Sequence, residues 1–373
     1  MTTFAVIAGG GTAGHVLPGL AIGRALVASG HPAPSLYFVG SQRGIEARLV
    51  PEAGFPLTLL PGRGIQRRLM TDNVGAAWGL SRAVAQAMAL MRRLRPRVLV
   101  SVGGYASVPC AVSAVALRVP IVVHEQNAVP GAANRLVGRY ARASAVSFPG
   151  TPLPRATVTG NPVREEIRAV DRSAAGQEDA RRALGLPLDR RVVGVFGGSL
   201  GSLRINQAVL HALPAWTARA DLAVHHVVGE RDWTLVSTSV GAAVGAPAGG
   251  VDYRPVRYEE SMPLLMAAAD LLVCRAGATT VAEVTTVGVP SILVPLPGAP
   301  GDHQTANARV LADAGAAVLV PDHALDSARL VAEVDRLLAD RDGLVAIGRA
   351  AKSLGRPDAA ERVAALVEEH AGG

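Results

Sequence analysis

The stretch that decides the fold is Gly9-Gly10-Gly11-Thr12-Ala13-Gly14-His15, near the start of a 373-residue chain. It follows an apolar run at residues 4–8 and precedes a helical pattern that begins near Pro18. A strand, a glycine-rich turn and a helix N-terminus make a cradle for phosphate, because backbone N–H groups and the helix dipole both favour anions. Read from Gly9, the spacing also satisfies the dinucleotide fingerprint G-x-G-x-x-G. We call residues 9–15 the first glycine turn.

The composition predicts two domains in a reducing compartment. At roughly 100–200 residues per domain, the length allows two domains, and 49% hydrophobic residues are enough for two large cores. Cys110 and Cys274 lie in apolar segments and have neither disulfide nor metal-ligand spacing, so we expect a cytosolic setting. The chain opens on a strand pattern without a secretory segment, and no apolar run reaches the roughly 18 residues that span a bilayer. We therefore expect a soluble or peripheral protein.

Basic residues are concentrated in the first half of the chain. Residues 1–163 contain 16 arginines and 4 acidic residues, a net charge of +12, whereas residues 164–373 contain 21 basic and 26 acidic residues, a net charge of −5. This asymmetry predicts that the first half faces an anionic surface, either nucleic acid or anionic lipid. The first half lacks interleaved aromatic residues for base stacking, so nucleic acid is poorly supported as a partner.

Apolar strand patterns alternate with helical patterns, which is typical of a parallel doubly wound α/β sheet. Ligands of such sheets bind beyond the carboxyl ends of the strands. Two further strand ends in the first half carry unusual residues, Gly103-Gly104-Tyr105-Ala106-Ser107 and His124-Glu125-Gln126-Asn127. We expect both to meet the first glycine turn at one edge of the sheet and to form a site there.

The same pattern restarts in the second half of the chain. A strand at residues 192–196 leads into Gly197-Gly198-Ser199-Leu200-Gly201-Ser202, which a helix from Ile205 follows. This second glycine turn (residues 197–202) is another phosphate cradle, but it is not a Walker loop because no Gly-Lys-Ser/Thr follows. Two such halves predict two Rossmann-like domains that face an interdomain cleft.

Two other chemistries are poorly supported. A nicotinamide dehydrogenase needs an acidic residue at the end of the second strand to hold the ribose, but that strand ends Val39-Gly40-Ser41-Gln42-Arg43. Arg43 is able to hold a 2′-phosphate, yet no second dehydrogenase signature is present. Asp340-Arg341-Asp342 resembles the D-x-D of metal-dependent sugar transferases, but its position between helices predicts a solvated helix end. No zinc-ligand spacing occurs, and no metal or cofactor is implied.

Seven motifs, taken in order over nearly the whole chain, resemble those of the MurG family of peptidoglycan glycosyltransferases. They are Gly10-Gly11-Thr12-Ala13-Gly14-His15, Gly103-Gly104-Tyr105, His124-Glu125-Gln126-Asn127, Gly160-Asn161-Pro162-Val163-Arg164, Gly197-Gly198-Ser199, Arg275-Ala276-Gly277-Ala278 with Glu283, and Asp302-His303-Gln304. Ala13 departs from the family, which usually has glycine there, and its methyl group restricts the φ of the turn. Residues 298–301 are also less family-like.

The resemblance implies a GT-B fold and a defined reaction. The expected domains are 1–163 for the acceptor and membrane side and 164–345 for UDP-N-acetylglucosamine (UDP-GlcNAc), with residues 346–373 returning to the first domain. The implied reaction is inverting and metal-independent. It moves N-acetylglucosamine from UDP-GlcNAc to the C4 hydroxyl of the muramyl sugar of lipid I, giving lipid II for peptidoglycan synthesis, cell shape and cell division. The implied location is the cytoplasmic face of the cell membrane, with anionic lipids as further partners.

The resemblance also assigns donor-binding residues. The second glycine turn suits the diphosphate, Arg164 neutralises the departing UDP, and Glu283 holds the ribose hydroxyls unless it is only a charge near a helix N-terminus. Gln304 and Asn307 face the sugar hydroxyls or form a polar helix cap. The complete set expected to bind UDP-GlcNAc is Thr12, Ala13, Gly14, Asn127, Arg164, Ser199, Ala278, Thr279, Thr280, Glu283 and Gln304.

His15 is the expected general base, since the reference pKa of imidazole, about 6.5, suits proton uptake near neutrality. Glu125 is the second candidate for a catalytic role. The alternative for His15 is that it binds acceptor phosphate or caps its helix. On the acceptor side we expect Gly11, Gly104 and Tyr105, with the first glycine turn cradling the lipid diphosphate.

A loop and helix in the first half are the expected membrane contact. Arginines there attract anionic headgroups, while apolar side chains enter the interface; Trp78 and the methionines have ordinary helix core as an alternative. The residues are Ile65, Arg67, Arg68, Leu69, Met70, Trp78, Arg82, Arg92 and Arg93. Two rival functions share the fold and the UDP site: a UDP-sugar 2-epimerase, which handles no lipid, and a non-catalytic UDP-sugar sensor, which needs no base at His15.

Overall fold

The computed structural model describes residues 3–42, 44–61, 72–198, 200–240 and 250–372, except for the side chains of residues 72–78 and 240. The chain divides into two units. Unit 1 comprises Met1–Arg164 and Arg356–Gly373, and unit 2 comprises Glu165–Gly355. Each unit is a parallel sheet with helices packed on both faces, which confirms the predicted fold class of two parallel α/β domains.

Unit 1 contains a seven-stranded sheet. Its strands are β1 (Ala5–Gly9), β2 (Leu36–Ser41), β3 (Leu57–Leu60), β4 (Val98–Gly103), β5 (Ile121–Glu125), β6 (Ala143–Val146) and β7 (Ala156–Val158). The helices between them are α1 (Ala13–Ala28), α2 (Glu46–Glu52), α3 (Asp72–Leu94), α4 (Ser107–Ala116) and α5 (Ala132–Gly138). The strand order is β3-β2-β1-β4-β5-β6-β7, and every pair is parallel.

The two faces of this sheet are filled from alternate positions of the same strands. Val6 of β1 packs in the cluster that contains Met91 of α3 and Leu99 of β4. Its neighbour Ile7 packs in the opposite cluster, with Leu26 of α1. Because both faces are covered, the strands carry near-continuous apolar runs, and this is why they are readable in the sequence.

Unit 2 contains a six-stranded parallel sheet. Its strands are β8 (Arg191–Phe196), β9 (Leu222–Val227), β10 (Asp252–Val256), β11 (Leu271–Cys274), β12 (Ser291–Leu293) and β13 (Val318–Leu319). Its helices are α6 (Glu165–Arg168), α7 (Ala174–Ala183), α8 (Leu203–Ala212), α9 (Trp233–Val240), α10 (Met262–Ala268), α11 (Ala278–Val287), α12 (His303–Asp313), α13 (Ser327–Ala339) and α14 (Arg341–Leu354). The strand order is β10-β9-β8-β11-β12-β13.

The last helix, α15 (Ala359–His370), belongs to unit 1. It packs along α1 and adds Val363 and Val367 to the core cluster around Ile7, and Glu368 lies 3.0 Å from His31. The division between the units falls at Gly355, because α14 packs against α11 and α13 within unit 2. The bound expected at residue 346 therefore lies inside α14.

Helix α1 begins earlier than the sequence pattern indicates. Its first residue is Ala13, so His15 is in its first turn, and Pro18 lies inside the helix. Proline lacks the N–H that would bond to the carbonyl of Gly14, so α1 is without one backbone hydrogen bond at this position. Ala13 is helical and lies outside the left-handed region of φ, so its methyl group fits the turn without backbone strain.

Candidate active site

The first glycine turn lies beside the turn after β4. Gly9 and Gly103 are register partners on β1 and β4, and β5 is the next strand in the sheet. Gly104 has φ +84°, and a Cβ placed there would collide with the carbonyl oxygen of Gly10. The close approach of the two turns therefore requires glycine at this position. As expected, three polar strand ends are side by side at one edge of unit 1.

His15 is oriented by the residue that directly precedes its helix. Thr12 is the N-cap of α1, but its hydroxyl makes no bond to a helix N–H and lies 3.2 Å from Nδ1 of His15. A Cβ added at Gly103 would be 3.2 Å from two atoms of the imidazole, so this ring packs against the turn after β4. Half-buried His15 is thus at the meeting point of two turns.

A carboxylate that the sequence did not suggest is bound to the first glycine turn. Glu46 of α2 is 2% exposed, and its two oxygens accept from the N–H of Gly11 at 3.1 and 3.0 Å. Oε1 also accepts from the N–H of Ser41 at 2.7 Å and from its hydroxyl at 3.0 Å. An acidic group is therefore present at the end of β2, where the sequence pattern lacks one, because Glu46 points back from the following helix. It also means that the amide of Gly11, expected to cradle the lipid diphosphate, already holds an internal anion.

His124 is fully buried, and burial lowers its pKa to about 4. Its Nδ1 accepts from the amide nitrogen of Gln126 at 3.0 Å, so Nε2 carries the proton and faces the carbonyl of Gly160 at 3.4 Å. The neutral imidazole of His124 is hydrogen-bonded at both ring nitrogens. It thereby connects the end of β5 to the segment that follows β7.

Glu125 organises the turn that follows β5. Its Oε1 accepts from the backbone and side-chain N–H groups of Asn127, at 3.0 and 3.2 Å. Its Oε2 accepts from the N–H of Gly131 and from Nδ2 of Asn134, both at 3.0 Å. With both oxygens bonded and the residue buried, Glu125 is placed to position Asn127, which was expected to bind the donor.

Tyr105 follows directly on Gly104, and its hydroxyl donates to the carbonyl of Pro61 at 3.2 Å. Partial burial raises the pKa of this phenol, so it remains protonated at neutral pH. It thereby connects the turn after β4 to the segment after β3. The predicted membrane residues Ile65, Arg67, Arg68, Leu69 and Met70 lie outside the described residues, as do Arg43 and the side chain of Trp78.

Next to these turns in the chain, α4 and α5 form an open apolar groove of about 300 Å³. Val112 and Val115 line it from α4, and Leu136 and Tyr140 from the α5 region, with Tyr140 61% exposed. Four exposed arginines belong to the same segments: Arg118, Arg135, Arg139 and Arg142. In the described part of the chain, no helix has the length and apolar character needed to cross a membrane.

In unit 2, two turns leave adjacent strands at the same edge. Phe196 at the end of β8 is the register partner of Cys274 at the end of β11. The second glycine turn follows Phe196, and a Cβ at Gly201 (φ +78°) would collide with the carbonyl oxygen of Val228. Ser202 then caps α8 by accepting from the N–H of Ile205. Ser199 lies outside the described residues.

Arg275 connects these two turns, a role that sequence reasoning missed. Its guanidinium is buried and donates to the hydroxyl of Ser202 at 2.6 Å and to Asp322 at 2.6 Å. It also donates to the carbonyls of Val294 and Pro295 beyond β12, at 3.1 and 3.0 Å. One side chain therefore fixes the cap of α8 relative to β11 and β12.

The N-terminus of α11 is the second helix start at this edge of unit 2. Its N-cap is Gly277, which offers no side-chain cap, and the buried hydroxyl of Thr279 has no hydrogen-bond partner among the described residues. Glu283 lies further along the helix and is buried. Burial and the charge of Glu283 together raise the pKa of Cys274, so this carboxylate lies close to the end of β11.

Helix α12 supports the same region. Gln304 is half-buried, and its side-chain oxygen accepts from the N–H of Leu296 at 2.9 Å. Asn307 is fully buried and donates to the carbonyl of Ala276 at 3.2 Å, which assigns it to the support of the turn before α11. Asp340 caps α14 by accepting from Gly343, so the D-x-D sequence is at a helix end, as expected.

The structure thus groups the expected residues in two sets. Within unit 1 it places Thr12, Ala13, Gly14 and His15 beside Gly104, with Asn127 held by Glu125 on the next strand but one. Within unit 2 it places Ala278, Thr279, Thr280 and Glu283 on one helix beside the second glycine turn, with Gln304 on α12. Half-buried Arg164 is the last residue of the first segment of unit 1.

Comparison with known proteins agrees with this division. Residues 5–146 match the N-terminal domain model of glycosyltransferase family 28, and residues 192–363 match its C-terminal domain model. The chain, with its two parallel α/β units and a glycine turn in each, is therefore a glycosyltransferase.

Full-length relatives define the family more closely. The UDP-N-acetylglucosamine–N-acetylmuramyl-(pentapeptide) pyrophosphoryl-undecaprenol N-acetylglucosamine transferase of Alkalilimnicola ehrlichii is 43% identical, over 100% of both chains. The crystal structure of MurG from Acinetobacter baumannii has a TM-score of 0.76 at 29% identity, covering 98% of this chain and 99% of that one. The chain belongs to glycosyltransferase family 28 and, within it, to the MurG transferases. A UDP-GlcNAc 2-epimerase from Neisseria meningitidis has a TM-score of 0.65 at 10% identity, covering 99% of this chain and all of that one, and so shares the fold alone.

Proposed function

We propose that the protein is a hexosyltransferase that moves N-acetylglucosamine from UDP-GlcNAc to the C4 hydroxyl of the muramyl sugar of lipid I, giving lipid II. The names of its relatives support this donor and acceptor. The observation that carries the proposal is the pair of turns at Phe196 and Cys274, because two helix N-termini at one sheet edge are suited to a diphosphate.

The donor binds to unit 2 in this proposal. The second glycine turn and the first N–H groups of α11 receive the diphosphate. The hydroxyl of Thr279, which has no partner in the part of the chain that the structure describes, is available as a further donor. Glu283 accepts from the ribose hydroxyls, since a buried carboxylate is a strong acceptor for two O–H donors. Gln304 uses its amide N–H groups toward the sugar, because its oxygen is already bonded to Leu296.

Departure of UDP requires stabilisation of the charge that develops on the diphosphate. Fixed N–H groups at the starts of α8 and α11 supply it without a metal ion. Arg164 remains a predicted contact of the departing UDP. We propose that the reaction is metal-independent for this reason, and that inversion follows from a single in-line displacement. The C4 oxygen of the acceptor forms a bond to C1 of the sugar, and the bond from C1 to the diphosphate oxygen breaks.

His15 accepts the proton of the C4 hydroxyl. Thr12 holds Nδ1, which fixes the orientation of the ring, and the half-buried imidazole lies at a sheet edge where substrates of such folds bind. Glu125 is less suited to this role because its oxygens accept four hydrogen bonds. Thr12, Ala13, Gly14 and Asn127 remain predicted donor contacts, and Gly104 and Tyr105 predicted acceptor contacts.

We place the protein at the cytoplasmic face of the membrane, held by the groove between α4 and α5. An exposed apolar surface flanked by arginines fits an anionic bilayer, since apolar side chains enter the interface while guanidinium groups attract headgroups. The acceptor named for the relatives carries undecaprenol, so contact with the membrane brings the enzyme to it. Roles in cell shape and division follow from the product, lipid II.

One assay separates this function from its rivals. The purified protein is incubated with radiolabelled UDP-GlcNAc and a soluble lipid I analogue, and the products are resolved by chromatography. A labelled disaccharide with a β linkage, formed equally in EDTA, supports the proposal. Epimerised UDP-sugar without disaccharide indicates an epimerase, and bound but unchanged donor indicates a sensor.

A further inference from the structure

The first glycine turn holds a carboxylate where a phosphate would be expected. Both oxygens of Glu46 face the N–H of Gly11, at 3.1 and 3.0 Å, in a turn whose glycines have φ +146° and +91°. Gly11 itself is exposed, whereas Glu46 is buried. The N–H of Gly11 is therefore hydrogen-bonded to a side chain of the same protein, on the side of the turn that faces away from solvent.

The surroundings of Glu46 are built for this contact. Gly10, Gly40 and Gly44 all approach the side chain so closely that a Cβ at any of them would collide with it. Ser41 adds two hydrogen bonds to Oε1, from its N–H and its hydroxyl. A buried carboxylate costs free energy unless donors surround it, so these contacts fix its position as well as satisfy it.

We propose that Glu46 is the resident anion of the first glycine turn and a positioning residue for His15. The proposal rests on the proposed function, because it assigns Glu46 to the support of the general base. The connection is short: Glu46 holds Gly11, the next residue is Thr12, and the hydroxyl of Thr12 lies against Nδ1 of His15. The imidazole is thus placed before any substrate binds.

The informative substitution is Glu46→Gln, which keeps the shape of the side chain. Oε1 still accepts from Ser41 and, at 3.1 Å, from the N–H of Gly11. The NH₂ group that replaces Oε2 also faces the N–H of Gly11, and these two donors repel one another. The matched control is Glu52→Gln, because Glu52 belongs to the same helix α2 but is exposed and forms a surface ion pair with Arg48, at 3.3 Å.

We expect Glu46→Gln to lower kcat by about tenfold to hundredfold, the range that a small displacement of a catalytic group produces. The KM for UDP-GlcNAc rises by less than kcat falls, because the donor contacts proposed for unit 2 are unchanged. Glu46→Ala, which removes all the acceptors, lowers kcat further. Glu52→Gln matches wild type. Circular dichroism at the assay temperature shows that each variant is folded.

A measurement on the wild-type protein is independent of these variants. In amide hydrogen exchange by NMR, the N–H of Gly11 exchanges slowly although the residue is exposed, because its acceptor is the buried Glu46. Exchange at the rate of an unprotected amide would overturn the proposal, and so would a Glu46→Gln enzyme with the kcat of wild type. If wild type itself forms no disaccharide, the proposed function fails instead, whatever the behaviour of Gly11.

Discussion

The hydroxyl of Thr12 lies 3.2 Å from Nδ1 of His15, within the first turn of α1. A residue that usually caps a helix N–H orients a side chain here instead. If His15 is the general base, His15→Ala lowers kcat by about 100-fold to 10,000-fold, the usual contribution of a positioned base. Single-turnover transfer to the soluble acceptor measures this loss, with UDP-GlcNAc binding measured separately. An enzyme that keeps its kcat after His15→Ala but loses it after Glu125→Ala contradicts the assignment.

Arg275 and Arg204 both contact Asp322, but only Arg275 is buried and bonded to Ser202. Arg275→Lys retains the charge and loses the planar fork that reaches four partners. We expect the affinity for UDP to fall about tenfold or more, since the loss of a charged hydrogen bond costs about 1.5–3 kcal/mol. Calorimetric titration with UDP measures the change.

Arg204→Lys is the control for this prediction. Arg204 is 48% exposed and its Nε lies 3.8 Å from Asp322, so the substitution leaves UDP affinity unchanged. Equal effects of the two substitutions would show that Arg275 does not hold the second glycine turn in its binding conformation.

Glu283→Gln tests the proposed ribose contact. A charged acceptor of two hydroxyls contributes about 1.5–3 kcal/mol for each hydrogen bond, so the KM for UDP-GlcNAc rises at least about tenfold. The sharper measurement compares UDP with 2′-deoxy-UDP. Wild type discriminates between the two, and the Glu283→Gln enzyme discriminates less. If the Glu283→Gln enzyme distinguishes UDP from 2′-deoxy-UDP as well as wild type does, Glu283 does not contact the ribose.

His124 predicts a pH dependence of stability. Burial lowers its pKa to about 4, against about 6.5 when unfolded, so the unfolded chain binds more protons between these values. The free energy of unfolding therefore falls as the pH decreases from about 6.5 towards 4, by up to about 3 kcal/mol for this group. Urea unfolding of the wild-type protein across this range measures the slope.

His124→Gln makes that slope shallower, because glutamine does not titrate. Exposed His211 of α8 provides the control, and His211→Gln keeps the wild-type slope. His226, whose pKa burial lowers to about 3, contributes its own share in unit 2 and remains in both variants. A His124→Gln slope equal to that of wild type would contradict the prediction.

The groove between α4 and α5 predicts a salt-sensitive membrane contact. Leu136→Glu places a negative charge among its arginines and weakens sedimentation with phosphatidylglycerol vesicles, whereas Val345→Glu, at a similarly exposed apolar position in unit 2, does not. Binding of wild type decreases at high salt because the attraction is partly electrostatic. Equal binding to vesicles of neutral lipid at all salt concentrations would rule out this contact.

The strands and the glycine turns could be predicted from the sequence, because apolar periodicity and glycine spacing determine them. Strands β1, β4 and β8 are apolar runs buried on both faces, and the glycine turns follow them where parallel topology requires. The sequence did not, however, predict β7, which has three residues and is largely exposed, or α7, whose cap is Ser173 in a segment of mostly polar residues. Glu46 was missed for a different reason. An acidic residue five positions after Ser41, in a helical pattern, predicts a solvent-exposed side chain, and only the folded structure shows that its carboxylate bonds back to Ser41.

The position of α15 has a consequence for synthesis on the ribosome. The core around Ile7 includes Val363 and Val367, so β1 and α15, which are far apart in the sequence, share one hydrophobic cluster. All of unit 2 is translated between them, and the described residues of its core clusters all belong to unit 2 itself. Unit 2 is therefore able to fold during elongation, whereas unit 1 is completed only after translation has reached the final helix.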